Sequence, residues 1–155
     1  MTPEFNTQIK KLTIGKSSSY FDDDNQRQLI YMVMSVCIKT KKFTDKNNIA
    51  NILQMERPFS EPMPRQSTFD LLAKVIAAGV KVDQFVNYYE NIFMVQFSKG
   101  ITNDFDMYID YIIYVGLRSV LTGMTVSNMQ ILFETMIPAE YTDEYVAVTN
   151  MLLQQ

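Results

Sequence analysis

Apolar residues recur along most of the chain at the spacing of an α-helix, in which every third or fourth side chain lies on the same face. The most regular example follows three consecutive aspartates and covers residues 29–38. Leu29, Val33 and Val36 form one stripe there, and a second stripe of apolar residues lies beside it. A helix that is apolar nearly all round belongs at the centre of a fold, so we expect this segment to be buried on every side.

Start signals divide the remaining chain into further helices. Ser67, Asp83, Ser127 and Thr142 are placed to cap the first turns of amphipathic stretches, and another helix is expected over residues 103–122. No segment shows a convincing strand pattern, so we expect no substantial sheet. Six or seven short helices that are too short to be stable alone must bury their apolar faces together. The sequence therefore predicts an all-α fold, a single compact bundle.

The length of 155 residues fits one domain, and no linker long enough to divide the chain is visible. Residues 1–21 precede the first strong helix, and we predict that they form a flexible or loosely packed segment. Residues 22–155 are predicted to form the single helical domain. No apolar run approaches the roughly 20 residues needed to cross a bilayer, and the N-terminus lacks the apolar core of a signal peptide. We therefore expect no membrane span and a cytoplasmic or otherwise intracellular location.

The sequence contains no histidine and a single cysteine, Cys37. These counts exclude histidine-dependent catalytic triads, histidine metal ligands and an intramolecular disulfide. Cys37 lies within the apolar run, so we expect an inert buried thiol. Gly15-Lys16-Ser17 resembles the end of a phosphate-binding loop, but Lys10 stands where that loop needs its first glycine. We predict no cofactor, no resident metal and no enzymatic activity.

Two carboxylates leave one alternative open. Asp106 and Asp110 are four residues apart, so they share one face of the helix predicted over residues 103–122. Such a pair can hold a divalent ion or take part in acid–base chemistry. The simpler interpretation is a solvated acidic face, because repulsion between like charges at this spacing costs only a few tenths of a kcal/mol.

The net charge of −3 conceals a strong division along the chain. Residues 1–81 contain 12 Lys and Arg against 8 Asp and Glu, a net charge of +4, whereas residues 82–155 contain 2 against 9, a net charge of −7. Such asymmetry is typical of proteins that bind polyanions, and of proteins that join the positive end of one copy to the negative end of the next. A chance distribution over two solvated faces would also produce it.

Nine of the nineteen aromatic residues fall within residues 85–114. Four tyrosines lie partly off the apolar stripes there and, with two aspartates, form the protein interface that we predict: Tyr88, Tyr108, Tyr111, Tyr114, Asp106 and Asp110. Tyrosine combines a large contact area with a polar tip, which favours protein interfaces. The alternative is that these side chains only fill the core and its rim.

The leading hypothesis is a non-enzymatic helical module for protein–protein interaction or assembly. It would bind a protein partner or form a homo-oligomer, with the unlike charges favouring a head-to-tail contact. Small accessory proteins of phages and viruses and bacterial adaptors resemble this organisation at the level of the fold.

The alternative hypothesis is a nucleic-acid-binding regulator that uses the basic part of the chain. Residues 28–82 give the order helix, short helix and helix, which resembles the three-helix core of helix-turn-helix domains. This resemblance implies that the helix at Ser67–Ala78 would enter the major groove. The basic side chains predicted to contact nucleic acid are Lys39, Lys41, Lys42, Lys46, Arg65 and Lys74.

Overall fold

The computed structural model describes residues 2–55 and 63–154, except for the side chains of residues 14–16. Eight α-helices occupy most of these two ranges, which contain no strand, so the prediction of an all-α bundle is confirmed. In chain order the helices are α1 (Pro3–Lys10), α2 (Ser17–Asp22), α3 (Asp24–Lys46), α4 (Gln66–Ala77), α5 (Val82–Lys99), α6 (Asp104–Leu121), α7 (Val126–Glu134) and α8 (Thr142–Leu153). A π-helical segment (Lys11–Lys16) joins α1 to α2, and 3₁₀ segments (Ile49–Gln54 and Ala139–Tyr141) follow α3 and precede α8.

Helix α3 lies at the centre of the bundle because nearly all of its faces are covered. With 23 residues it is about 34 Å long. Five of its large side chains have no exposed surface: Ile30, Tyr31, Val33, Met34 and Ile38. Its first turn is held by Asp23, whose carboxylate accepts a hydrogen bond from the backbone N–H of Gln26 at 2.9 Å. The sequence prediction of a helix buried on every side is therefore confirmed.

Helix α6 packs along α3, and a glycine lets the two helices approach closely. A Cβ atom at Gly116 would lie 2.4 Å from Sγ of Cys37 and 3.2 Å from a ring carbon of Phe133 in α7. The thiol of Cys37 is completely buried, as predicted. Burial raises the pKa of Cys37 to about 12, which keeps the thiol protonated near neutral pH.

The other helices cover the α3–α6 pair from two sides. Helices α4 and α5 pack against each other and against α6, whereas α7 and α8 pack against α3. The start of α8 is fixed by Arg27 of α3, whose Nε donates to Oε1 of Glu144 at 2.6 Å. One turn further along α3, the ring of Tyr31 lies 5.8 Å from the ring of Tyr145, the residue that follows Glu144. The first half of α3 is therefore tied to the first turn of α8 by an ion pair and by an aromatic contact.

The N-terminal segment is helical and packed, so the prediction of a flexible or loosely packed segment over residues 1–21 is wrong for residues 2–21. Four of its side chains belong to the core: Phe5, Leu12, Tyr20 and Phe21. The ring of Phe5 lies edge-on to the ring of Phe93 at 5.2 Å. The backbone N–H of Thr2 donates to Glu90 at 3.0 Å. The local pattern missed this packing because the partners lie far along the chain.

The predicted capping residues lie one or two positions inside their helices. The residues that precede the first turns are Arg65, Lys81, Thr125 and Tyr141. Thr125 accepts a hydrogen bond from the backbone N–H of Asn128 at 3.2 Å, the bond that was expected of Ser127. At α5 the side chain of Gln84 supplies the cap, because its Oε1 accepts from the backbone N–H of Lys81 at 3.0 Å.

Candidate protein-binding groove

A groove of about 840 Å³ runs along α6 between α5 and α7, and we call it the α6 groove. Helices α1 and α5 form one wall, with Ile9, Val82 and Val86 among its apolar side chains. Met124 and Leu132 form the opposite wall. Helix α6 supplies the floor. The volume is within the range of sites that bind ligands, and the lining residues of α6 extend from Tyr111 to Thr122.

One face of α6 stays uncovered at the floor of this groove. Tyr111, Val115, Arg118 and Thr122 follow the spacing i, i+4, i+7 and i+11, so they lie on the same side of the helix. The face extends over about 16 Å, or three helical turns. Tyr111 and Val115 are half-buried, whereas Arg118 and Thr122 are exposed. The groove therefore presents an apolar floor that becomes polar toward the end of α6.

Arg118 is the basic side chain of the groove. No ion pair joins it to another residue of the two described ranges. Burial raises the pKa of Tyr111 and of Tyr114, and the positive charge of Arg118 opposes that rise at both phenols. The exposed guanidinium of Arg118 lines the same groove as the two tyrosines, where it can meet a carboxylate of a bound molecule.

An aromatic stack supports the floor from below. The ring of Tyr114 lies 4.1 Å from the ring of Tyr89 with an angle of 10° between their planes. Phe85 stacks on the same Tyr114 ring at 5.9 Å. Tyr89 is completely buried, and burial raises its pKa well above the ordinary value. Such close packing holds α5 against α6 and makes this wall of the groove rigid.

The structure separates the four predicted interface tyrosines. Tyr108 and Tyr114 are buried, so their predicted placement on an exposed face is wrong. Tyr108 is covered by Tyr20 of α2, a helix that the sequence did not predict, with the two rings 5.3 Å apart. Tyr111 lies in the α6 groove, whereas Tyr88 lies on the other side of α5 in a groove beside α4. One predicted tyrosine therefore contributes to the floor of the α6 groove as a partly exposed side chain.

One member of the predicted acidic pair, Asp110, binds an internal cation. Asp110 is buried, and its two carboxylate oxygens accept hydrogen bonds from Nε and Nη2 of Arg65, both at 2.9 Å. These bonds raise the pKa of Arg65, and the charge of Asp106 adds to the effect. Asp110 is therefore not an exposed interface residue, and Arg65 is not available to phosphates, so both predictions are corrected. The guanidinium of Arg65 also occupies the two carboxylate oxygens of Asp110 that the alternative interpretation assigned to a divalent ion.

The other predicted nucleic-acid contacts fall on two separate surfaces. The last turns of α3 carry Lys39, Lys41, Lys42 and Lys46, and Lys74 lies on α4. Burial and the nearby charge of Lys42 lower the pKa of Lys39. Lys41 pairs with Asp45 of the same helix at 2.7 Å. The end of α3 is thus a basic cluster in which part of the charge is already neutralised.

The two signs of charge separate along α3. At its first turn, Asp23 and Asp24 lie near the start of α8, where Tyr141 donates a hydrogen bond to Asp22 at 3.1 Å. The lysine cluster lies at the other end of the helix, roughly 25 Å away. The division of charge in space therefore differs from the division between the sequence halves, because residues from both halves meet at the acidic end.

Residues 28–82 differ from a regular helix-turn-helix core. The middle element is the 3₁₀ segment Ile49–Gln54, which is too short to act as the first helix of the motif. The exposed side of α4 carries Ser67, Asp70 and Lys74. This face has no excess of positive charge, whereas contact with phosphates requires one.

The described residues provide neither a metal-binding cluster nor a helix that could span a membrane. Within residues 2–55 and 63–154, no group of three or more Cys, Asp or Glu side chains is arranged to hold a metal ion. The helices of the same ranges include none that is long and apolar enough to cross a membrane. Comparison with known proteins found no matching family, no similar curated protein and no similar solved structure.

Proposed function

We propose that this chain is a non-enzymatic protein-interaction module that binds an amphipathic helix of a partner protein in the α6 groove. The observation that supports this proposal is the uncovered three-turn face of α6 between α5 and α7. A helix that lies in a groove is a common mode of peptide recognition, in which side chains at i, i+3 or i+4, and i+7 serve as anchors.

The apolar walls suit such anchors. Val86 on α5, Leu132 on α7 and Val115 on α6 all line the groove. Leucine-sized side chains placed between these walls would exclude water from all three residues. Burial of apolar surface contributes about 25 cal/mol per Å², so a few well-placed anchors provide most of the binding free energy.

Arg118 would set the orientation of the bound helix. Its guanidinium can form two parallel hydrogen bonds with a carboxylate, a geometry that lysine cannot reproduce. We therefore expect the partner helix to carry Asp or Glu beside its apolar stripe. A partner with a basic residue at this position would meet like charge and bind more weakly.

Synthetic amphipathic peptides test the proposal. One series has leucine at i, i+4 and i+7 with Glu at a flanking position, and a matched series has Lys there. Fluorescence anisotropy with the full chain should show tighter binding of the Glu series. Arg118→Glu should reverse the preference, whereas Lys99→Glu, which reverses an exposed charge outside the groove, should leave it unchanged.

A second variant keeps the test decisive. Val115→Glu places a carboxylate on the floor and should abolish binding of the Glu series, with an unchanged far-ultraviolet circular dichroism spectrum. If no peptide of either series binds, or if binding persists in Val115→Glu, the α6 groove is not a helix-binding site. Amide chemical-shift changes confined to residues outside α1, α5, α6 and α7 would lead to the same conclusion.

We propose nucleic-acid binding as a second candidate function, because four lysines cluster at the end of α3. Binding to mixed DNA and RNA at increasing salt tests it, since each phosphate contact releases counterions and steepens the loss of affinity. Lys42→Glu together with Lys46→Glu should weaken such binding, whereas Lys99→Glu should not. Affinity that does not change with salt would contradict this candidate.

A further inference from the structure

Two exposed apolar surfaces lie on different sides of the α3–α6 pair. The first is a groove of about 330 Å³ between α4 and α5, which we call the α4–α5 groove. Leu71, Val75, Tyr88 and Ile92 line it, and Leu71 and Tyr88 are 46% and 47% exposed. Surface apolar residues are common singly, but their grouping in a concave site indicates an interaction surface.

Lys74 gives the α4–α5 groove itself a positive charge, because the carboxylate of Asp70, which lies on the same exposed side of α4, is not among the residues that line it. Lys74 is the charged side chain among its described lining residues, and no ion pair joins Lys74 to another described residue. Lys81 follows the lining residue Val80 and is exposed at the start of α5. An apolar surface with an ammonium group at its edge favours an occupant that combines apolar side chains with carboxylates.

The second surface lies where α7 meets α8, and we call it the α7–α8 face. Ile131 and Val146 project there and are 57% and 42% exposed, on either side of a cleft of about 300 Å³. Glu134 lines the same cleft. No Lys or Arg follows Arg118 in the sequence, so every charged side chain of α7 and α8 is a carboxylate.

We infer that the α7–α8 face of one copy docks on the α4–α5 groove of a second copy. Each surface exposes apolar side chains, and the charges of the two surfaces are opposite. Ile131 and Val146 would bury against Leu71 and Tyr88, while carboxylates of α7 or α8 approach Lys74. The two surfaces are different, so the contact is heterologous, and repetition of it produces a head-to-tail chain or a closed ring.

This inference extends the proposed protein-binding role to surfaces outside the α6 groove. It does not require that groove to be occupied. Leu71, Lys74 and Val146 do not line the α6 groove, so their replacement should leave peptide binding there intact. Failure of self-association and failure of helix binding can therefore be distinguished by measuring both in the same variants.

A complementation experiment tests the heterologous contact. Leu71→Glu disables the α4–α5 groove and leaves the α7–α8 face intact, whereas Val146→Glu does the reverse. Sedimentation velocity should show concentration-dependent oligomers for the original chain and monomers for each variant alone. An equimolar mixture should form a heterodimer and nothing larger, because one competent surface of each kind remains. A symmetric contact that uses the same patch on both copies would not be restored by mixing.

Charge reversal gives an independent measurement. Lys74→Glu should weaken self-association about tenfold, a change of about 1.4 kcal/mol, and Lys99→Glu should not. The difference should shrink at high salt, because exposed charges are screened. A chain that stays monomeric at every accessible concentration would overturn the inference. So would a mixture of Leu71→Glu and Val146→Glu that does not associate while both variants keep the original melting temperature.

Discussion

Gly116 faces Cys37 across the contact between α6 and α3, and there is no room between them for another carbon atom. A Cβ at position 116 would lie 2.4 Å from Sγ and 2.6 Å from Cβ of Cys37. The thiol could rotate away, but the Cβ atom is fixed by the backbone of α3. This one contact therefore sets how closely the two central helices approach, and the other helices pack on the pair.

Gly116→Ala should lower the free energy of unfolding by about 1–2 kcal/mol. The substitution improves helix propensity by about 1 kcal/mol, but the overlap with Cys37 forces the central helices apart. Urea denaturation followed by circular dichroism measures the change. Gly79→Ala is the control, because nothing lies within 4 Å of its Cβ position and its cost comes from φ of +81° alone. A Gly116→Ala protein as stable as the original chain would contradict the expected overlap.

The thiol of Cys37 should not react with a disulfide reagent in the folded protein. Its pKa is raised to about 12 by burial, so the reactive thiolate is absent near neutral pH. One equivalent of thiol should react once urea unfolds the chain. Reaction at increasing urea should then follow the unfolding curve. Fast labelling of the folded protein would show that the α3–α6 contact opens locally.

Asp110→Asn should destabilise the fold by about 2–3 kcal/mol, because it leaves Arg65 partly buried without its bidentate partner. Asp106→Asn removes a neighbouring carboxylate without breaking the pair and should cost less than about 1 kcal/mol. Thermal and urea unfolding of both variants check the difference. Equal effects of the two substitutions would mean that the Arg65–Asp110 pair does not hold α4 against α6.

Phe5→Ala should lower stability by about 3–4 kcal/mol, since it removes a buried ring from the cluster with Tyr89 and Phe93. The exposed neighbour Thr7→Ala is the control and should change stability by less than about 0.5 kcal/mol. Denaturant midpoints provide the measurement. If both variants unfold at the same midpoint, the N-terminal helix does not belong to the cooperative core.

Stability should fall in acid partly through Glu144. The hydrogen bond from Arg27 holds the pKa of Glu144 below its ordinary value. The stabilisation is therefore present above the ordinary pKa and is lost as the pH falls through the lowered value in the folded state. Because Glu144 is partly exposed, we expect less than about 1 kcal/mol. In a plot of melting temperature against pH, Glu144→Gln should reduce the decrease in melting temperature that the original chain shows in acid. Asp143→Asn is the control and should show the same decrease as the original chain.

Local sequence patterns were sufficient to predict most of the helices and the central position of α3 in the bundle. They failed where a side chain is covered by a distant segment. Tyr108 lies partly off the apolar stripe of its own helix, yet Tyr20 buries it.

The sequence did not predict the α6 groove as such, but two of the tyrosines that it singled out, Tyr111 and Tyr114, are among the residues that line it. No motif in the sequence pointed to Arg118 as a binding residue. Its helical spacing from Tyr111 and Val115 does place the three residues on one face of α6, and that spacing could have identified the face.

By itself the sequence determined that the chain is helical, which side of each main helix is apolar, and that Cys37 is buried. These properties depend on residues within a few turns of one another. Only the tertiary structure decided which apolar stripes are covered, which remain open as grooves, and which charges pair internally. Arg65 and Asp110 are 45 positions apart, and no periodicity relates them. Their pairing depends on the way in which α4 and α6 pack, and that packing minimises the free energy of the whole core.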